Sequence, residues 1–468
     1  MRRRRSLVLG IGLALPLAFV GAPAIAAPHA AQPYDVDGNG FPDLAVGAPF
    51  LTDGTYPEGG VAVLAASRTG LSGTAQVLTP DSPGVAGESG AEDQFGRALA
   101  SGDFDGDGYA DLAVGLPVAY RTYEGAGSVT VLYGSAKGLG GARSRELTEP
   151  GGPRFDVAFG SALAAGDFDG DGRADLAVGS EGKVAVFAGG PAGLSPTRSA
   201  QLRAPAGSGE DGGFGEALAV GDLDQDGRLD LAVADDGAGV SACYGTTGGL
   251  TGCAGLGTGV SDGGISTLAV GNVSGSSRPE IVLGAPYADA RSKGAVLVFS
   301  LSGPRASTTA IPVTLTQDSP GVRGTGEKDD CFGTDVALGD LDHDGFADLV
   351  VGAPGENRDR GRVTVVYGAA TGHRTSGGLV YGQDTRHVPG KAEKHDRFGA
   401  AVALLDHDGD THPDLTVGAP GENDGDGAVT LLRGSARSFT TRGARTDTLR
   451  GLGRTAAGHG GFGASVGH

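Results

Sequence analysis

Residues 103–111 read D-F-D-G-D-G-Y-A-D, which puts Asp103, Asp105, Asp107 and Asp111 at positions 1, 3, 5 and 9 of one short loop. Four carboxylates this close repel one another unless a cation lies among them, and hard oxygen donors on a flexible loop select Ca²⁺ over Zn²⁺ or Cu²⁺. Gly108 stands at position 6, where wrapping an ion demands backbone angles that glycine tolerates, and Tyr109 at position 7 offers its backbone carbonyl. The pattern recurs as Asp35, Asp37, Asn39 and Asp43 with Phe41; as Asp167, Asp169, Asp171 and Asp175 with Arg173; and as Asp222, Asp224, Asp226 and Asp230 with Arg228. It returns as Asp340, Asp342, Asp344 and Asp348 with Phe346, then as Asp406, Asp408, Asp410 and Asp414 with His412. Six Ca²⁺ sites are therefore expected. Between the fourth and the later copies, Asn272, Ser274, Ser276 and Glu280 stand in register with a single carboxylate, and this loop is expected to hold no metal. Position 12 of the second loop is Val114, and a strand-like run follows, so the helix-flanked calcium hand is excluded.

Something must hold these loops at a spacing of roughly 50 to 70 residues, the range of propellers and solenoids. A short apolar run follows each loop, at residues 44–49, 112–117, 176–179, 231–234, 281–286, 349–354 and 415–420. A second, Val-rich run begins after a glycine, as at residues 61–64, 129–133, 363–367 and 429–432, in the manner of buried strands. A Phe-Gly leader precedes the loops at Phe95-Gly96, Phe159-Gly160, Phe214-Gly215, Phe332-Gly333 and Phe398-Gly399, with Gly264-Ile265 in its place in the fifth repeat. Each repeat thus offers about four strands in a meander, one propeller blade. The first repeat lacks a leader, whereas Phe462-Gly463 is a leader with no loop after it. An all-β, seven-bladed propeller is predicted, closed by pairing residues 462–466 with the first blade, which removes two sheet edges.

Phe-Gly leaders, D-x-D-x-D-G-x-x-D-L loops and V-G-A-P strand ends resemble the FG-GAP repeats of the integrin α-subunit N-terminal propeller, over about residues 34–468. The resemblance implies calcium between the first and second strands of a blade and ligand recognition by loops elsewhere on the ring. The departures are the weak fifth loop, Asn39 in the first and Thr411 in place of glycine in the last.

Arg2 to Arg5, an apolar stretch over residues 7–20 and Ala24-Ile25-Ala26 form an export signal at residues 1–26, through the Sec or the twin-arginine route. A short linker, 27–34, and a propeller over 35–468 follow, in a secreted, extracellular chain with no transmembrane segment after the leader. The formal charge of −20 argues against nucleic acid as a partner. Cys243 and Cys253, ten residues apart, are expected to form a disulfide, and Cys331 to be a buried small residue. A four-stranded meander puts the second-to-third and blade-to-blade connections opposite the acidic loops. There Tyr56, Tyr120, Tyr123 and Tyr287 are the candidate contacts for an extracellular protein or polysaccharide, and His387, Lys391, Lys394, His395 and Arg397 read as a solvated basic run. Residues 463–467 fit G-x-S-x-G and residues 458–463 fit G-x-G-x-x-G, but both overlap the leader and lack the strand-turn-helix setting those motifs need. The expectation is a monomeric calcium-binding adhesion or binding module and not an enzyme. The rival is a hydrolase or polysaccharide-active enzyme, since similar repeats accompany glycosylphosphatidylinositol-specific phospholipase D and some polysaccharide lyases use calcium propellers.

Overall fold

The computed structural model describes residues 31–52, 57–87, 90–119, 125–140, 143–155, 157–205, 213–235, 239–257, 264–289, 291–301, 305, 312–453 and 459–467. The export signal and the first half of the proposed linker lie outside these residues, as do Tyr56, Tyr120 and Tyr123.

Seven four-stranded antiparallel sheets form the blades of a propeller. Blade 2 is representative, running outward from Leu99–Gly102 through Asp111–Leu116 and Ser128–Leu132 to Ser144–Leu147. Composition follows position in the blade. Inner strands such as Leu163–Gly166 and Leu218–Gly221 are built of small residues, which lets the inner strands crowd around one axis. Middle strands such as Asp348–Ala353 and Glu280–Ala285 are buried along their whole length, because both faces meet neighbouring blades. The outer strand Ser199–Arg203 buries only Leu202. The apolar core is accordingly not one mass. It divides among the described residues into seven clusters, each shared by two adjacent blades.

The expected closure is present. Ser465–Val466 forms the inner strand of blade 1, with Val46 opposite Val466 and Gly47 opposite Ser465. Phe462 is fully buried between blades 7 and 1 beside Val429 and Leu44. Phe462→Ala is expected to cost about 3–5 kcal/mol, the usual penalty for emptying a buried aromatic site. A reduced denaturant midpoint would record it; a loss below about 1 kcal/mol would mean that the seam does not hold the ring. Tyr34, assigned to the linker on sequence, is buried in the blade 1 core, and Pro33 and Tyr34 help wall the central channel.

The leaders themselves are turns, not strand starts. Phe95 bridges Gly59 of the preceding blade, Phe159 bridges Gly127 and Phe462 bridges Gly427, so each leader stitches two blades together. The glycine of each V-G-A-P end lies against the next leader. A Cβ on Gly115 would fall 2.1 Å from the carbonyl oxygen of Gly160, and one on Gly352 would fall 2.0 Å from that of Gly399. Blade 4 has Ala234 at this position, facing the leader where Ile265 replaces glycine. There Ser266, one residue later, donates to Gly284 the bond that Gly96 donates to Gly115 elsewhere. Losing both glycines shifts the leader by one residue.

Candidate metal centre

In blades 2 to 7 each acidic loop joins an inner strand to the second strand of its blade, and the first loop leads straight into the second strand of blade 1, so all the loops emerge on one face of the ring. The loop backbone is folded onto its own carboxylates. Asp103 accepts from Gly106, Asp107 and Gly108, at 2.7, 3.1 and 3.0 Å. Asp111 does a different job: its Oδ2 accepts from Phe104 at 2.9 Å and its Oδ1 from Gly134, just past the third strand, at 2.9 Å. The ninth position thus ties the loop to the blade, and Asp43, Asp175, Asp230 and Asp348 repeat both contacts. Asp414 repeats the second, accepting from Gly434. The residue at position 2 points the other way and fills the seam between blades, as Phe104 and Phe168 do.

Carboxylate oxygens of three residues converge within 4.8 Å of one another in each of at least five loops. In three of these, Asp35, Asp37 and Asp43; Asp103, Asp105 and Asp111; and Asp222, Asp224 and Asp230, the first, third and ninth positions meet. In Asp167, Asp169 and Asp171 and in Asp340, Asp342 and Asp344 it is the first, third and fifth. Asp342 Oδ1 and Asp408 Oδ1 are buried acceptors without a hydrogen-bond partner. All-oxygen donors, convergence and spare buried acceptors fit a hard divalent cation. In the fifth loop Glu280 takes over the tying role. Its Oε2 accepts from Val273 and Ser274, and the Ser274 hydroxyl donates to its Oε1.

Thr411 keeps the loop geometry that glycine provides elsewhere. It sits at φ 75° and donates to Asp406 Oδ2 at 2.8 Å. A left-handed β-branched residue is strained, so Thr411→Gly is expected to stabilise the protein by about 1 kcal/mol. An unchanged denaturation midpoint would show the strain to be absent.

Burial pushes the ninth-position carboxyls upward, with nearby aspartates adding to the rise. Asp111 reaches about 8, Asp43, Asp348 and Asp414 about 7, and Asp175 and Asp230 about 6. A carboxyl whose folded value lies above its unfolded value of about 3.9 holds extra protons in the folded state, so its contribution to stability declines as pH rises between the two. In chelator the melting temperature is therefore expected to fall from pH 5 to pH 8. Millimolar Ca²⁺ should flatten that slope, and a chelated protein that is more stable at pH 8 than at pH 5 would contradict it.

Arginines flanking the loops were not anticipated from sequence. Arg143 reaches Asp105 at 2.5 Å while lying over Tyr133, and Arg374 reaches Asp342 at 2.7 Å and Asp344 at 2.6 Å while lying over Tyr367. Arg305 and Arg433 approach Asp224 and Asp408 more loosely, at 3.7 and 3.3 Å. The shared feature is a Tyr-Gly at the end of the third strand with an arginine a few residues on, at Tyr133 and Arg143 and at Tyr367 and Arg374.

Of the other predicted residues, Cys243 and Cys253 face each other across the third and fourth strands of blade 4 and are joined as a disulfide. Cys331 is half-buried, not buried, at φ 55° beside the channel mouth. Tyr287 is 56% exposed on the face away from the acidic loops. The basic run separates: His395 pairs with Asp359 at 2.8 Å and Lys391 with Glu393 at 2.9 Å, while Arg397 faces the channel mouth. The Ser465 hydroxyl donates to the Gly96 carbonyl at 2.6 Å, which is a structural use of the one serine in the G-x-S-x-G match. Among the described residues no helix is long and apolar enough to cross a membrane.

Family comparison agrees with this geometry. The FG-GAP repeat model matches residues 27–64, 95–132, 332–366 and 398–432, and the FG-GAP-like repeat model matches residues 167–233. The chain is an integrin-alpha-like FG-GAP repeat protein. This FG-GAP chain is 37% identical over 165 residues to integrin alpha-PS2 of Drosophila melanogaster, covering 33% of this chain and 11% of that one. It is 33% identical over 158 residues to human integrin alpha-7, covering 33% and 12%. It is 35% identical over 157 residues to the phosphatidylinositol-glycan-specific phospholipase D of Rattus norvegicus, covering 31% and 17%. The matched stretch is thus well under a fifth of each of these relatives.

Proposed function

We propose that this FG-GAP chain is a secreted, calcium-stabilised, monomeric binding module that adheres to an extracellular protein or polysaccharide through the face opposite its acidic loops. The observation that carries the reading is a division of labour between the two faces. Carboxylates are gathered and tied into the blades on one side. The long second-to-third and blade-to-blade connections, with the exposed Phe50 and Tyr287, occupy the other. Bound Ca²⁺ would neutralise the gathered charge in six loops. The named aspartates would hold it, with the carbonyls of Phe41, Tyr109, Arg173, Arg228, Phe346 and His412 as further donors. The fifth loop needs no ion, because Ser274 and the backbone already satisfy Glu280. The disulfide suits an oxidising compartment, which supports export of the chain by its leader.

An array of secreted proteins and glycans probed with calcium-loaded protein tests the reading, and silence across both classes would sink it. The rat phospholipase among the relatives keeps an enzymatic reading in play. Phosphodiesters and polysaccharides incubated with the protein, with and without chelator, decide between them: turnover would replace the binding module with an enzyme.

A further inference from the structure

On the face away from the acidic loops the central channel widens into a funnel of about 790 Å³. That volume suits a ligand of two or three sugar units or a few amino acids. Four charged side chains on its wall decide what it can hold. Two are acidic and already engaged: Asp359 pairs with His395 at 2.8 Å and Asp329 with Lys328 at 3.0 Å. The other two, Arg97 and Arg397, make no ion pair among the described residues. Arg97 is open to the funnel yet surrounded by blade atoms on its other sides, and that burial lowers its pKa with no carboxylate to offset it. In a chain of net charge −20, a wall with as many arginines as aspartates is a local relief from the negative charge, and its two guanidinium groups make no ion pair among the described residues. Guanidinium forks match carboxylates in a planar, two-point contact.

The wall also carries two exposed aromatic faces, Phe50 at 44% and Tyr287 at 56%. Backbone donors around the mouth are spent. The N–H of Phe95 goes to Glu58, that of Cys331 to Ser292 and that of Arg397 to Asp359. An extended peptide that relies on main-chain pairing would find few partners here, so recognition falls to side chains. A ring that offers a flat apolar face to an aromatic and a carboxylate to an arginine meets both demands.

We infer that the channel mouth is a binding site for a carboxylated oligosaccharide of the uronate type, with Arg97 and Arg397 taking carboxylates and Tyr287, the more exposed of the two aromatics, covering a sugar face. This rests on the binding-module reading and gives it a ligand class. The test titrates the full calcium-loaded chain calorimetrically with trigalacturonate, its methyl ester and triglutamate. Trigalacturonate is expected to bind, the ester to bind at least tenfold more weakly, and Arg97→Gln and Arg397→Gln each to weaken binding about tenfold with the melting temperature unchanged. Tyr287→Ala should weaken trigalacturonate and leave triglutamate as it was. Absence of trigalacturonate binding at millimolar concentration, or binding that survives the double arginine substitution, overturns the site. Triglutamate binding as tight as trigalacturonate overturns the saccharide assignment. If the array finds a ligand whose binding ignores both arginines, the binding module stands and only this inference falls.

Discussion

Chelating divalent cations is expected to lower the melting temperature of the purified chain by roughly 9 °C. Extracellular calcium sites bind at about 0.1 to 1 mM, so each tight-end site contributes up to about 1.4 kcal/mol at millimolar Ca²⁺, and six act together on a chain with an unfolding entropy of about 2.1 cal/mol/K per residue. The calcium-dependent part is the diagnostic quantity. Asp105→Ala and Asp342→Ala should each forfeit one site's share in calcium, and much of that difference should vanish in chelator. Ser274→Ala removes a hydroxyl that donates to buried Glu280, so it has its own cost, but that cost should be the same with and without calcium. A calcium-dependent loss for Ser274→Ala as large as that for Asp342→Ala would overturn the assignment of the fifth loop, and an unchanged melting temperature in chelator would remove calcium from the account.

Gly115→Ala is expected to be a severely damaging single methyl. Its Cβ would stand 2.1 Å from the Gly160 carbonyl, a backbone atom that cannot turn away, so blades 2 and 3 must separate to admit it. Overpacking of this kind costs about 3 kcal/mol or more when the neighbour is main chain. Gly352→Ala, at 2.0 Å from the Gly399 carbonyl, should match it between blades 6 and 7. Gly73→Ala, where nothing lies within 4 Å, is the control and should stay within about 0.5 kcal/mol of the parent. Equal denaturation midpoints for Gly115→Ala and Gly73→Ala would show that the close approach does not constrain the ring.

The loops, the strand runs and the seam at Phe462 were legible in the sequence because each is written several times in one register. Repetition turns a weak local pattern into a strong one, and the missing leader at one end matched the spare leader at the other. What the sequence hid was set by convergence in space. The residues after the leaders, Arg97, Ser161, Glu216, Ser266, Thr334, Ala400 and Ala464, are an unremarkable column until the ring brings them to the wall of one channel. Arg143 reaches Asp105 from 38 positions away, a contact that no loop motif encodes. Tyr34 looked like linker because nothing local shows that a tyrosine before the first loop will fill the channel wall of a blade finished by the far end of the chain.

That far-end pairing carries a consequence for biogenesis. Blade 1 stays three-stranded until Ser465–Val466 arrives, so an emerging polypeptide presents an open sheet edge along Leu44–Ala48 until all the intervening blades have been made. A folding intermediate would therefore stay unlocked until that strand pairs, and the wheel would close in one late step.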